Sequence, residues 1–216
     1  MLTIADLRVS IAAVSILRGV SLEVREGAIT ALVGRNGAGK TTLMKSLMGL
    51  LKPSAGTITC DGHDLVTMPT HRRARLGIGY MPEDRRLIGA LTVEENVMVP
   101  AWATGMPAPE ARLQEVYRTI PELSALARRK APQLSGGQQK LVALGRALLC
   151  GSRLLLLDEP FEGVAPALAQ RLAELIGGLK GRGLTVLISA SDLQHAERVV
   201  DRLAVIDRGV VVRPAD

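Results

Sequence analysis

One feature limits the possible folds more than any other: an apolar segment that leads directly into a glycine-rich loop. Ala28–Val33 has the pattern of a short buried strand, and Gly34–Thr41 after it fits G-x-x-x-x-G-K-[ST]. Thr42–Met48 then has the composition of a helix, with Gly49 as its stop signal. A strand, a phosphate loop (Gly34–Thr41) and a helix in this order predict a nucleotide site in an α/β fold. A glycine-rich turn that matches by accident is the alternative, and the flanking strand and helix argue against it.

The residue types of the phosphate loop suit a triphosphate. Its glycines allow successive backbone N–H groups to face one anion, and a helix that begins near Gly39 adds the positive end of its dipole. We expect Lys40 to reach the β- and γ-phosphates and the Thr41 hydroxyl to ligate Mg²⁺. The predicted ATP-binding residues all lie in the loop or directly after it: Gly34, Arg35, Asn36, Gly37, Ala38, Gly39, Lys40, Thr41 and Thr42.

A second apolar run ends in two carboxylates. Arg153–Leu157 is too short to span a membrane and is typical of a central parallel strand, and Asp158 and Glu159 follow it before Pro160. Because parallel strands present ligand-binding groups at their carboxyl ends, we expect Asp158 to hold Mg²⁺ beside the phosphate loop. Glu159 is then placed to orient and deprotonate the water that attacks the γ-phosphate. Taken alone, the run also fits a buried strand that ends in a solvated acidic turn.

Between these two runs lies Leu134–Gln138, with the sequence LSGGQ, followed by a predicted helix over 139–148. The three motifs together resemble the ATP-binding cassette (ABC) proteins in order and spacing. The resemblance implies an α/β P-loop NTPase cassette: a mostly parallel sheet flanked by helices, an N-terminal antiparallel β part and an inserted helical subdomain. It also implies one ATPase domain over 1–216, with 1–83 and 134–216 forming the RecA-like core and β part, and about 84–133 the helical subdomain.

The LSGGQ segment gives the chain a second anion site, because Ser135, Gly136 and Gly137 are predicted at a helix N-terminus. In ABC proteins this signature segment closes on the γ-phosphate bound to a partner subunit. The resemblance therefore implies a head-to-tail homo- or heterodimer that holds two ATP molecules. The implied contacts to the partner's ATP are the signature residues Ser135, Gly136, Gly137 and Gln138.

Within the ABC proteins, three stretches resemble the ATPase subunits of branched-chain amino acid importers and their urea or amide relatives. They are Tyr80–Arg86, Leu91–Asn96 and Glu159–Pro166. This resemblance implies solute import through a membrane permease, served indirectly by a periplasmic or surface binding protein. Two other readings remain open: a soluble ABC ATPase without a transport role, and a degenerate ATP-binding module that needs a paralogous partner for hydrolysis.

Four positions depart from the general family pattern. Glu83 fills a lid-loop position where most members carry Gln, and it is implied to contact ATP or its Mg²⁺. Ser191 aligns with the γ-phosphate switch position, usually His, and joins Glu159 as a candidate catalytic residue. Ala165 stands where an Asp usually crosses the dimer, and Ile11 where an aromatic normally stacks on adenine. We expect these changes to leave ATP binding intact and to affect mainly the rate of ATP hydrolysis.

Composition limits the compartment and the partners. The chain has 216 residues, no apolar stretch near the roughly 20 residues of a membrane span, and no signal-peptide pattern at its N-terminus. We therefore expect a cytoplasmic protein that is peripheral on the inner face of the cell membrane. A net charge of only +6 and an aromatic content of 2% argue against a nucleic-acid partner.

Local composition also predicts where helices begin and end outside the three motifs. Prolines, including Pro100, are expected to break the helices of the 84–133 segment. Asp192–Val199 is expected to form a helix before a strand at Arg202–Ile206.

Overall fold

Two β-sheets organise residues 1–213, the part of the chain that the computed structural model describes. Residues 214–216 of the predicted domain lie outside it. The strands are, in chain order, β1 Leu2–Ile11, β2 Val14–Val24, β3 Ile29–Val33, β4 Ala55–Cys60, β5 His63–Asp64, β6 Ile78–Met81, β7 Leu154–Asp158, β8 Thr185–Ala190, β9 Arg202–Asp207 and β10 Val210–Arg213. The helices are α1 Lys40–Leu47, α2 Thr70–Arg75, α3 Val93–Thr104, α4 Pro109–Thr119, α5 Pro121–Leu126, α6 Gly136–Cys150 and α7 Pro166–Lys180, with a 3₁₀ turn at Ala131–Gln133.

The larger sheet positions the predicted site. Its strand order is β10-β9-β3-β8-β7-β6, and every neighbouring pair is parallel except the edge pair β10 and β9. The phosphate loop follows β3, the two carboxylates follow β7, and β8 lies between these strands. The carboxyl ends of all three therefore meet at one edge of the sheet, as the sequence predicts.

Strand β7 explains why its sequence is an unbroken leucine run. Leu155 and Leu157 belong to one core cluster, together with α3, α6 and α7, whereas Leu154 and Leu156 belong to the other, together with α1 and the smaller sheet. All four side chains are fully buried. A parallel strand covered on both faces has no position for a polar side chain, so the period-2 alternation of a half-exposed strand is absent.

The smaller sheet, in the order β2-β1-β4-β5, is antiparallel and confirms the expected N-terminal β part. The β1–β2 pair has register shifts near Leu7 and between Val9 and Ser10. Such irregularities change which side chains face inward, so strand period alone does not assign the faces of this hairpin.

Between β6 and α6 the chain is mainly helical, but one proline prediction is wrong. Pro109 and Pro121 begin α4 and α5, where a proline costs no intrahelical bond, whereas Pro100 lies inside α3. An internal proline costs about 3 kcal/mol in an isolated helix. The capping box of Thr92 and Glu95 and the burial of one α3 face oppose this cost. The subdomain boundaries near 84 and 133 stay a prediction.

The helix predicted at Asp192–Val199 is also wrong, because this segment forms a series of turns. The Asp192 carboxylate accepts a hydrogen bond from the Gln194 N–H at 3.0 Å, a local turn that competes with helix formation. The only helical i to i+4 bonds near this segment join Glu197 to Leu193 and Val200 to Ala196. A series of turns therefore leads from β8 to β9.

Candidate functional site

The phosphate loop takes a shape that two of its glycines permit. A Cβ at Gly34 would lie 2.3 Å from the Ile206 carbonyl oxygen, so β9 leaves no space for a side chain there. Gly39 has a φ of 110° directly before α1, a conformation that L-residues rarely adopt. The loop thus turns sharply from β3 into the N-terminus of α1, where backbone N–H groups without helical partners favour an anion.

Lys40 holds a central position in this loop. Its side chain is 5% exposed, and its ammonium donates to the carbonyls of Gly34 and Arg35, the second at 3.2 Å. The same Nζ lies 3.1 Å from Glu159 Oε1. A buried ammonium with three negatively polarised partners is pre-positioned to receive phosphate oxygens in their place.

Glu159 is fixed from several directions although its φ is +47°. Its N–H lies 3.1 Å from both the carbonyl and the hydroxyl oxygen of Ser189. Its carboxylate accepts hydrogen bonds from the Ser191 N–H at 3.1 Å and lies 2.8 Å from Ser191 Oγ. The two candidate catalytic residues are therefore in direct contact at the mouth of the phosphate loop.

Asp158 is completely buried beside Glu159. Its carboxylate accepts hydrogen bonds from Ser189 Oγ at 2.6 Å, from Thr41 Oγ1 at 3.2 Å and from the Tyr80 hydroxyl at 3.4 Å. Burial raises the pKa of Asp158 above its usual value, and the Ser189 and Thr41 hydrogen bonds oppose this shift in part. Burial and the Asp158 charge also raise the pKa of Tyr80, which stays a protonated donor.

This donor set fits Mg²⁺. In the described residues there is no group of three or more His, Cys, Asp or Glu side chains that could hold a metal ion by itself. Magnesium takes one or two carboxylates and completes its octahedron with water and substrate phosphates. The predicted ligands Thr41 and Asp158 are in contact, and the exposed Glu83 lies on the same cleft and adds to the raised pKa of Asp158.

A cleft of about 360 Å³ opens over the loop, a size within the range of small-ligand sites. Its lining residues are Ile16, Asn36, Gly37, Gly39, Lys40, Thr41, Thr42, Glu83, Glu159 and Glu162. Arg35 and Ala38 line the other side of the loop, toward Ile206 and Asp207.

The apolar residue on this cleft is Ile16, not the expected Ile11. Ile11 is 43% exposed at the end of the β1–β2 hairpin and is absent from the cleft lining. Ile16 of β2 lies on the cleft instead. The alignment of Ile11 with the adenine-stacking position stays a prediction.

The signature segment lies elsewhere on the chain's surface and does not line the cleft. Ser135 is the N-cap of α6: its hydroxyl accepts the Gln138 N–H at 3.3 Å, and Gln138 Oε1 accepts the Ser135 N–H at 3.0 Å. Ser135 and Gly136 are exposed, and Gly137 is half-buried. Within one chain, the phosphate loop and the signature segment thus form two separate regions at helix N-termini.

Two sets of hydrogen bonds join the lid loop, which contains Glu83, to α6, the signature helix that begins at the LSGGQ segment. Arg85 Nη1 donates to Gln139 Oε1 at 3.1 Å, and the Arg146 guanidinium donates to the carbonyls of Arg85 and Arg86. Ala165, by contrast, caps α7 without any side-chain hydrogen bond.

Three contact residues of the site escape sequence reasoning. Ser189 Oγ donates to the Asp158 carboxylate and accepts the Glu159 N–H, the Tyr80 hydroxyl donates to Asp158, and Lys140 of α6 donates to the Glu159 carbonyl at 2.9 Å. Burial is the main cause that lowers the pKa of Lys140 to about 8, and the nearby Arg85 charge adds to it. Position at the end of β8 is the one signal that could have identified Ser189.

Comparison with protein-family models matches residues 17–162 to the family described as ABC transporter. The chain is 37% identical over 196 residues to the high-affinity branched-chain amino acid transport ATP-binding protein BraG of Pseudomonas aeruginosa; the match spans 91% of this chain and 84% of BraG. It is 34% identical over 214 residues to the lipopolysaccharide export system ATP-binding protein LptB of Haemophilus influenzae, spanning 98% of this chain and 89% of LptB.

A solved structure gives the same result for the fold. The dimeric structure of the bacterial ABC transporter cassette MJ0796 superimposes with a TM-score of 0.88 at 26% sequence identity. The match covers 99% of this chain and 97% of that cassette. The likeness thus includes both sheets and the helical segment between β6 and α6.

Proposed function

The chain belongs to the ABC transporter family as an ATP-binding and ATP-hydrolysing subunit, and we propose that it powers import of branched-chain amino acids or related small amino acids and amides. Membership implies a dimer of cassettes and a permease partner. The observation that carries the residue assignment is the position of the Glu159 carboxylate, 3.1 Å from Lys40 Nζ at the mouth of the phosphate loop.

The phosphate loop binds the triphosphate in this proposal. Lys40 contacts the β- and γ-phosphates, and the N–H groups from Asn36 to Thr42 surround them. Because Lys40 is already paired with Glu159, bound phosphate takes over the ammonium and frees the carboxylate. Binding of ATP thereby releases the group that the reaction needs.

Thr41 and Asp158 hold Mg²⁺, with Glu83 at the open side of the cleft. When bound, the ion neutralises charge on the β- and γ-phosphates. The hydroxyls of Ser189 and Tyr80 keep the Asp158 carboxylate oriented toward Thr41.

Glu159 acts as the general base in this proposal, and Ser191 positions it. The freed carboxylate accepts a proton from the water that attacks the γ-phosphorus in line with the departing ADP oxygen. Ser191 Oγ lies 2.8 Å from Glu159 Oε1 and 2.9 Å from Asn36 Oδ1, so it joins the base to the phosphate loop.

The signature residues Ser135, Gly136, Gly137 and Gln138 bind the γ-phosphate of a second chain's ATP. Ser135 and Gly136 are exposed and none of the four lines the cleft, which supports a head-to-tail pair in which the signature segment of one chain meets the nucleotide of the other. The pair is a homodimer or a heterodimer with a paralogue. The similarity to BraG supports a branched-chain amino acid importer, and the similarity to LptB, a lipopolysaccharide export component, is the rival for the cargo class.

No helix among residues 1–213 has the length and apolarity of a membrane span. We place the chain on the inner face of the cell membrane, against its permease and indirectly below a periplasmic or surface binding protein. The half-exposed Trp102 and Ile88, both in the segment between β6 and α6, are apolar contacts available to that permease.

The decisive experiment measures MgATP hydrolysis by the purified chain over a range of protein concentrations. The specific activity is expected to rise with concentration as dimers form, and Glu159→Gln is expected to lower kcat by about 100-fold or more while ATP binding persists. Glu174→Gln on the exposed face of α7 is the matched control and should keep full activity. Hydrolysis that Glu159→Gln leaves intact would remove Glu159 as the base.

The cargo needs a separate experiment. The chain is reconstituted in vesicles with a branched-chain amino acid permease, and its ATP hydrolysis is measured with and without leucine-loaded binding protein. Stimulation of ATP hydrolysis by the loaded binding protein would support the role in amino acid import. Binding to the permease without stimulation would indicate that the chain serves another class of transporter.

A further inference from the structure

The buried amine of Lys140 has no part in the proposed binding and hydrolysis of ATP. Lys140 lies in the second turn of the signature helix α6 and is 2% exposed. Its Nζ donates to the Glu159 carbonyl at 2.9 Å and to the Glu162 carbonyl. An amine this deeply buried needs such partners, and here both belong to the loop that carries the predicted catalytic carboxylate.

The Glu159 backbone is where such support is needed. A φ of +47° is unfavourable for a residue with a side chain, and the following Pro160 restricts the residue before it further. A conformation of this kind persists only when the surroundings hold it. Ser189 holds the N–H of Glu159, and Lys140 holds its carbonyl.

We propose that Lys140 is a positioning residue for catalysis: it fixes the 159–162 loop so that the Glu159 carboxylate points into the phosphate cleft. The inference rests on the proposed role of Glu159 as the general base. Lys140 contacts no reacting atom and acts through the backbone carbonyls of Glu159 and Glu162.

The hydrogen bonds of Lys140 also connect the signature segment to the loop that carries Glu159. Ser135, the N-cap of α6, lies five residues before Lys140 on one continuous helix. A shift of α6 when its N-terminus closes on the partner chain's ATP would therefore move the carbonyl of Glu159. Through Lys140, a movement of the signature segment would therefore change the position of the loop that carries Glu159 in the same chain.

The role depends on donors rather than on charge. Two carbonyls need two N–H groups, and both the protonated and the neutral amine of lysine provide them. A glutamine amide also carries two N–H donors, although its side chain is one bond shorter. Methionine has a similar length and no donor, so Lys140→Met and Lys140→Gln separate the loss of hydrogen bonds from the loss of charge.

The test measures kcat, KM and the ATP dissociation constant for Lys140→Met, Lys140→Gln and the matched control Lys180→Met. Lys180 forms an ion pair with Asp201 at the far end of α7 and should leave all three values unchanged. Lys140→Met is expected to lower kcat by on the order of 10- to 100-fold, as for a displaced catalytic group, with the ATP dissociation constant within about twofold. Lys140→Gln should recover part of kcat.

A double-mutant cycle separates positioning from a general loss of stability. In the Glu159→Gln background, adding Lys140→Met should not lower the residual rate further, because the group that it positions is already disabled. A further drop of the same size in that background would overturn the proposal, and so would full activity of a folded Lys140→Met. If Lys140→Met does not fold, Lys140→Ala, which also lacks a donor, takes its place, and full activity of that folded variant overturns the proposal instead. If the unmodified chain hydrolyses no ATP, or if Glu159→Gln retains its rate, the proposed function fails before Lys140 is tested.

Discussion

The phosphate loop and the signature segment both lead into the N-terminus of a helix, but only the phosphate-loop region is held by contacts from other strands and loops. Lys40, Asp158 and Glu159 are each at most 6% exposed, and every one has ion-pair or hydrogen-bond partners from other strands or loops. The signature residue Ser135 is exposed, and its partner is its own neighbour Gln138. The first region is therefore held together within one chain, and in the proposed function the second is half of a site that another chain completes.

This difference has a physical reason. Buried charges must be paired within the fold, so a hydrolytic centre needs long-range contacts to several strands. An N-terminal helix end that waits for a partner's nucleotide needs only a local capping box and an accessible surface. One region is held by the tertiary structure, and the other by four consecutive residues.

The largest expected effect tests whether the open end completes another chain's site. Lys40→Gln disables the phosphate loop, and Gly136→Asp places a carboxylate where the partner's γ-phosphate is expected. A Cβ at Gly136 meets only the end of the Arg85 side chain at 3.4 Å, so this substitution changes charge with little change of packing. Each variant alone should be inactive. An equimolar mixture should recover up to about a quarter of the wild-type rate, because half of random dimers combine both chains and carry one intact site of two.

The control for this complementation is Lys45→Gln in the last turn of α1, a lysine outside the cleft lining. Its activity should match that of the unmodified chain, alone and in mixtures. A Lys40→Gln and Gly136→Asp mixture that stays inactive, although the two proteins dimerise, would contradict a site shared between chains. The comparison between a complete region and a half-site would then be wrong.

The second effect tests how the phosphate-loop region holds Glu159 in place. Ser191→Ala removes the hydroxyl between Glu159 and Asn36 but keeps the Ser191 N–H on the carboxylate, so we expect a kcat about tenfold lower. The ATP dissociation constant should hold. Steady-state kinetics on the dimer measure both values. An unchanged kcat would mean that Lys40 and the backbone alone hold Glu159 in place. Ser191 would then no longer be a candidate catalytic residue.

Sequence reasoning predicted the parts of this molecule that local patterns determine. The strand, loop and helix around Lys40, the leucine strand before Asp158 and the N-cap of α6 at Ser135 each follow from adjacent residues. The family resemblance added the order of these parts and is confirmed by the family comparison. These are the elements whose residues need no distant partner to define their conformation.

The contacts that sequence reasoning missed join residues far apart in the chain. Ser189 lies 31 residues from Asp158, and Lys140 lies 19 residues from Glu159. Neither residue type signals such a role, since a serine in a strand and a lysine in a helix are ordinary. The position of Ile16 on the cleft was missed for a related reason, because the apolar pattern does not show the register shifts of the β1–β2 hairpin.

The smallest expected effect concerns stability, and the two regions should respond in opposite directions. The pKa of Asp158 is raised on folding, so its contribution to stability is full below the unfolded pKa and is lost as pH rises through the folded pKa. At neutral pH the buried charge therefore opposes folding. Asp158→Asn is expected to raise the free energy of unfolding of the nucleotide-free chain by on the order of 1 kcal/mol, with a loss of hydrolysis. Ser135→Ala removes a helix cap and should lower the same quantity by about 1 kcal/mol.

Thermal unfolding at several pH values measures both changes. The difference between Asp158→Asn and the unmodified chain should shrink as pH falls through the folded pKa of Asp158, whereas the Ser135→Ala difference should not depend on pH, because a hydroxyl cap does not titrate. With saturating MgATP, the unmodified chain should become more stable than Asp158→Asn, because Mg²⁺ then offsets the cost of burying the carboxylate. If Asp158→Asn destabilised the nucleotide-free chain at every pH, the hydrogen bonds from Ser189, Thr41 and Tyr80 would outweigh desolvation. The closed region would then be stabilised by the charge that it uses for chemistry.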